Sequence, residues 1–176
     1  LSDPCIELVR SGQADFALAS GALPAAGIEG LELRVLRTDG FHLLCPAGHP
    51  LAQRRRLSLE ALAGHPFIQM ARSTSVRQAL DAALHPLSMN TVLEVEQLAT
   101  VRGMVEAGLG ISAVPTLTLY QFRTTGIVVR PLPLPTLTRS IVLIRRHASL
   151  SSAAQAMHDL VVERLESWRE NKAQPR

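Results

Sequence analysis

Residues 100–115, TVRGMVEAGLGISAVP, read as an amphipathic helix, a glycine stop and a short buried strand. Val101, Met104 and Val105 recur at helical spacing. Gly108 and Gly110 end the helix, since a positive φ costs glycine little. Ile111 to Val114 is then an apolar run of strand length, closed by Pro115. One such helix-to-strand step belongs to any α/β domain and says nothing about chemistry, so the reading must come from its neighbours.

Working outward, residues 4–11 pattern as the end of a helix stopped by Gly12, and Ala14 to Ala19 as a buried strand. Leu31 to Leu36 alternates like a half-exposed strand, and Phe41 to Cys45 is a second apolar run. Ser58 caps a short helix that Gly64 and Pro66 end, and the strand Phe67 to Met70 leads through ARSTS into a helix from Val76 to Leu84. Thr91 to Val95 alternates again. Beyond Pro115, Leu117 to Phe122 makes a short helix, and a connection bearing Pro131, Pro133 and Pro135 leads to the strand Ser140 to Ile144. Serines 149, 151 and 152 precede a last helix with Ala154, Met157, Val161, Leu165 and Trp168 on one face, and residues 170–176 form a polar tail. Strands alternating with helices predict an α/β fold with mainly parallel sheets.

Apolar residues make up 47% of the 176, which suits a folded core and excludes a disordered chain. The net charge of +3 is spread out; only Arg54, Arg55 and Arg56 form a run, which reads as a solvated loop rather than a nucleic-acid stripe. Aromatic residues at 3% leave little for base stacking. Cys5 and Cys45 form no disulfide framework or metal spacing, and the six histidines stand at no metal-ligand spacing. His49 and His65 each precede a proline and read as loop residues. No run reaches the ~20 apolar residues of a membrane span, and no signal peptide opens the chain. No GxSxG, P-loop, dinucleotide glycine fingerprint or catalytic cysteine signature is present, so neither catalysis nor a cofactor is expected. Glu7 and Asp15, the one conceivable acid/base pair, fall on a helix and at a strand start.

Four segments in order, ELVRSGQADFALAS, CPAGHPLA, LEALAGHPFIQMARSTSVRQALDAAL and MVEAGLGISAVP, give the whole chain a resemblance to the effector-binding domain of LysR-type transcriptional regulators. That resemblance implies two Rossmann-like lobes of the type 2 periplasmic-binding-protein kind, joined by two crossover strands. Residues 1–40 and 138–176 would form lobe I, its N-terminal part absent, and residues 41–137 lobe II; the chain crosses at 37–41 and 135–140. It also implies a small-molecule effector between the lobes, a DNA-binding winged helix-turn-helix that is not in this chain, a cytoplasmic setting, and assembly into dimers or tetramers. The helices at 4–11 and 100–107 would meet in that assembly, with Val9, Val101 and Val105 as candidate interface residues.

In open α/β sheets ligands sit beyond the carboxyl ends of strands, where helix starts offer unpaired N–H groups. Ser20 and Gly21, just past the strand that ends at Ala19, satisfy that geometry, although a loop serine is the plainer reading. Arg72, Ser73, Thr74 and Ser75, at the start of the helix from Val76, satisfy it with three hydroxyls, more than one helix cap requires, and Arg72 could add a bidentate contact if it turns inward. Gln97 and Leu98 precede the helix from Thr100, with core packing the competing role for Leu98. Ser2, ten positions before Gly12, matches a place where the family offers a hydroxyl. These contacts and the possible Arg72 charge suit a small anion. The alternatives are a stand-alone periplasmic solute-binding protein, which would need a secretion signal, and an enzyme such as a dehydratase or deaminase on the same lobes.

Overall fold

The computed structural model describes residues 2–21 and 28–173. The chain divides into two compact units: unit 1 is Leu1–Thr38 with Ser140–Arg176, and unit 2 is Asp39–Arg139.

In unit 1, α1 (Ser2–Arg10) precedes β1 (Phe16–Gly21), which pairs antiparallel with β8 (Arg139–Arg146) from Phe16 opposite Arg145 to Gly21 opposite Ser140. β2 (Leu31–Asp39) lies on the other side of β8. Val9, Ala19, Leu31, Val142 and Ile144 form the core, because alternate strand positions and one helix stripe turn the same way. Gly12 at φ +80° closes α1, its N–H donating to Val9 O at 3.2 Å, and the Arg146 guanidinium donates to the carbonyls of Val9 and Ala14 on either side of that turn. The last helix, α5 (Ser152–Ala173), is capped by Ser151, whose Oγ accepts from Ala154 N at 3.2 Å. His158 meets the Phe16 ring edge-on at 5.8 Å. Of the apolar face expected on α5, Met157 is exposed, and the Leu165 and Trp168 side chains and residues 174–176 lie outside the described residues.

Unit 2 is built around β3 (Phe41–Pro46), flanked by β6 (Ser112–Pro115) and β7 (Ile127–Leu132), both antiparallel to it. β4 (Pro66–Met70) pairs parallel with β5 (Asn90–Val95). A parallel bridge from Phe67 to Ile111, with Ile68 N on Ile111 O at 2.8 Å and Ile111 N on Pro66 O at 2.9 Å, joins the two strand sets in the order β5–β4–β6–β3–β7. Helices α2 (Leu59–Ala63), α3 (Ser75–Leu84) and α4 (Leu98–Glu106) complete the unit. Ser58 caps α2 by accepting from Ala61 N.

Several expectations change. The described pairings are antiparallel apart from β4–β5 and its bridge, so the sheets are mixed rather than mainly parallel; periodicity marks a strand but carries no direction. Of Ala14 to Ala19, read as a buried strand, the structure buries only Ala19. β7 runs through the stretch read as a proline-bearing connection. Proline donates no ladder hydrogen bond, and Pro131 is accommodated because β7 is an edge strand. Gly108 has the expected φ of +76°, but Gly110 does not have a positive φ; a Cβ there would lie 2.7 Å from Pro66 O. Val9, Val101 and Val105 are fully buried, so none offers an exposed face to a second copy; Val101 and Val105 form the inward i, i+4 stripe of α4. No helix among the described residues is long and apolar enough to cross a membrane.

His49 is more than a loop residue. Its Nδ1 accepts from Leu51 N at 3.2 Å to cap a 3₁₀ turn over Pro50–Ala52, and its ring meets His65 edge-on at 4.7 Å. Burial first, and the His65 charge second, lower its pKa from the usual value. A lowered folded pKa means the unfolded chain binds more protons, so stability falls as pH drops through about 6.5 towards that lower value. His49→Asn keeps a capping acceptor without a titrating ring; thermal midpoints measured from about pH 7.5 to 5.5 should fall less steeply in this variant than in the parent.

Candidate functional site

β4 and β5 run parallel, with Met70 opposite Val95, and the ladder continues with Ala71 N on Val95 O at 2.8 Å. α3 and α4 therefore both start from the carboxyl edge of one strand pair, five residues beyond Met70 and three beyond Val95. The first N–H groups of each helix have no carbonyl within the helix and carry its positive dipole end, which makes this edge an anion-attracting one.

At the start of α3, Thr74 is the N-cap. Its Oγ1 accepts from Arg77 N at 3.2 Å and donates to Ala71 O at 2.8 Å, so this hydroxyl is occupied in holding the turn. Ser73 is exposed beside it. Arg72 does not turn inward: its side chain is 83% exposed and lies 4.0 Å from Glu94. Arg77, mostly buried, clasps Asp81 through Nε at 2.8 and 2.9 Å and Glu94 through Nη1 at 3.0 Å.

The cation at this helix start comes from far along the chain. Arg139, the first residue of β8, donates from Nη1 to Ser75 Oγ at 3.3 Å, and from Nε and Nη2 to Asp39 Oδ2 at 3.3 and 3.2 Å. The Asp39 side chain is fully buried, and its Oδ1 accepts from Leu117 N at 3.2 Å. The last residue of β2, the first of β8, the start of α3 and the turn after β6 are thus held in one polar cluster within unit 2. Sequence reading placed Ser75 among the hydroxyls of this helix start but missed Asp39 and Arg139, because neighbours separated by 64 to 100 positions leave no local pattern. Gln69, next to last in β4, was missed as well; it is 3% exposed, and its Oε1 has no hydrogen-bond partner among the described residues. A buried acceptor without a donor is costly.

Gln97 is the N-cap of α4, which begins two residues earlier than its periodicity suggests, and its side chain makes no capping bond. Leu98 is half-buried and packs on the core of unit 2. In unit 1, Ser20 and Gly21 are the last two residues of β1, paired with Ile141 and Ser140, rather than a loop beyond it; Gly21 has φ +142°, which side-chain-bearing residues rarely adopt. Ser2 is the first residue of α1, and its side chain lies outside the described residues. Cys5 and Cys45 are free thiols, Cys45 buried and its pKa raised by that burial. Among the described residues no three His, Cys, Asp or Glu side chains gather as a metal site.

Over residues 2–166 the chain matches the family described as LysR substrate binding domain. It is 31% identical over 171 residues to the uncharacterized HTH-type transcriptional regulator YbhD of Escherichia coli K12, covering 96% of this chain and 52% of that protein. It is 36% identical over 130 residues to the transcriptional activator protein LysR of the same organism, covering 72% of this chain and 41% of that protein. The fold superposes on the BenM effector-binding domain, solved with its effector benzoate, with a TM-score of 0.80 at 20% identity, covering 99% of this chain and 78% of that one. The chain thus spans about half the length of the curated relatives it matches. It belongs to the LysR substrate-binding domain family.

Proposed function

We propose that this chain is the effector-sensing part of a LysR-type transcriptional regulator, and that it binds a small anionic molecule without changing it chemically or needing a cofactor. The observation that carries this reading is the pair of helix starts leaving the carboxyl edge of β4 and β5, with Arg139 on Ser75 as the local cation. Backbone amides of α3, the Ser73 hydroxyl and that guanidinium are donors suited to a carboxylate. Gln97 and Leu98 of unit 2, and Ser2, Ser20 and Gly21 of unit 1, are the further candidate contacts. Arg72 would take part only by leaving Glu94, and Thr74 acts by shaping the turn.

In this reading the longer protein binds DNA through a part outside this chain, as a regulator like the HTH-type relatives does, and works in the cytoplasm as a dimer or tetramer. The two free thiols suit a reducing compartment. Effector binding shifts the population of domain arrangements by no more than the ligand's difference in affinity for them. The relatives, named as transcriptional regulators, favour this over a stand-alone solute-binding protein or an enzyme.

A panel of aromatic and short-chain carboxylates, benzoate included, tests it by calorimetry and thermal shift. At least one acid should bind saturably and be recovered unaltered. Ser73→Ala should weaken that affinity about tenfold, as expected for a hydrogen bond to a charged group. Thr74→Ala should instead lower stability by about 1 kcal/mol, the usual cost of a lost cap. Turnover of the bound acid, or an affinity indifferent to Ser73→Ala, would overturn the assignment.

A further inference from the structure

The arginine run set aside as a solvated loop is held in place at the opposite side of unit 2's sheet. Arg130, in the middle of edge strand β7, donates from Nη1 to Ala52 O and from Nη2 to Arg54 O at 3.0 Å. These two bonds pin the segment that carries Arg55 and Arg56 against β7. Between them lies a cleft of about 400 Å³ lined by Arg55, Arg56, Leu57, Arg130, Pro131 and Pro133.

Three of the six residues lining the cleft are arginines and none is acidic. Among the described residues, neither Arg55, Arg56 nor Arg130 has an acidic side chain within ion-pair distance, whereas Arg77, Arg139 and Arg145 each do. Arg130 spends only part of its five-donor fork on the two carbonyls. The remaining wall of the cavity, Leu57 and two prolines, is apolar and stiff. Such a site suits a ligand with two negative charges and several acceptor oxygens, for which planar guanidinium forks are the best protein partner.

We propose that this cleft is a second ligand site, separate from the α3 start, that takes a phosphate dianion, either free or as the monoester of a small metabolite. Its position on β7, at the far edge of the sheet from β4 and β5, makes occupancy independent of the helix starts.

Titrating the chain at low ionic strength with inorganic phosphate, phenyl phosphate and benzoate, by calorimetry and amide chemical shifts, tests the proposal. Both phosphates should bind saturably with shifts centred on residues 54–57 and 130–133, and benzoate much more weakly. The doubly substituted Arg55→Gln, Arg56→Gln chain, altered at two exposed side chains, should lose at least tenfold in phosphate affinity. Arg102→Gln, an exposed arginine of α4, should lose none. Tighter binding of phenyl phosphate than of inorganic phosphate points to the ester as ligand, and equal binding to free phosphate. Absence of saturable binding, wild-type affinity in the double variant, or benzoate binding as well as phosphate would each overturn it.

Discussion

Gly110→Ala should lower the unfolding free energy of the chain by about 3 kcal/mol, at the upper end of what overpacking usually costs. The added methyl would sit 2.7 Å from Pro66 O and 3.1 Å from Pro66 C, backbone atoms that cannot swing aside as a side-chain tip can. Any relief must move β4 from the segment before β6. That movement strains the Ile111 N to Pro66 O and Ile68 N to Ile111 O bonds, and the 2.8 Å bond from Ser112 Oγ to Ile68 O. Because this bridge joins the two strand sets of unit 2, the loss should appear as a lower midpoint for the whole unit. Gly103→Ala is the contrasting measurement. Nothing lies within 4 Å of a Cβ there, and the position is interior to α4, so alanine should stabilise by about 0.5–1 kcal/mol. Chemical denaturation of both variants checks the pair; similar midpoints would mean that the close approach carries no cost.

Arg139→Met should be comparably damaging, by about 3–5 kcal/mol, for an electrostatic reason. Removing one partner of a buried ion pair leaves the other charge without compensation, and the Asp39 side chain is fully buried. Leu117 N would remain its recorded hydrogen-bond donor. The methionine keeps much of the arginine's apolar stem, so the loss should be mainly of charge. Adding Asp39→Asn to Arg139→Met should recover part of the stability, since the buried charge is then gone while Leu117 N keeps an acceptor. A double-mutant cycle measures this coupling, and strictly additive effects would show that the pair does not interact. Arg139 also holds Ser75, so Arg139→Met should weaken binding of a carboxylate ligand more than Ser73→Ala does.

Most elements were legible because each is written locally. Gly12 and Gly108 end α1 and α4 with positive φ, Ser58 caps α2, and the apolar positions of α3 fall at helical spacing into Val76, Leu80 and Leu84, all buried. β7 was not legible, since Pro131 argues against a strand until the strand is known to lie at an edge. Val101 and Val105 carry the same apolar stripe whether they face a core or a second copy, and only packing against unit 2's sheet distinguishes the two. The candidate site divided in the same way. The hydroxyl-rich start of α3 stood out in ARSTS, but which hydroxyl is the cap, and that Arg72 pairs with Glu94 instead of turning inward, depended on neighbours placed by the fold.

The order of residues alone thus determined the alternation of helices and strands, the family, and the hydroxyl-rich start of α3. These follow from side-chain period, glycine and proline dihedrals and capping chemistry, all acting within a few residues. Tertiary structure alone decided strand direction, the reason for Gly110, the Arg139–Asp39 cluster and the pinning of the arginine loop by Arg130. Each joins segments distant along the chain, and no local pattern records which distant segment the burial of apolar surface will bring alongside.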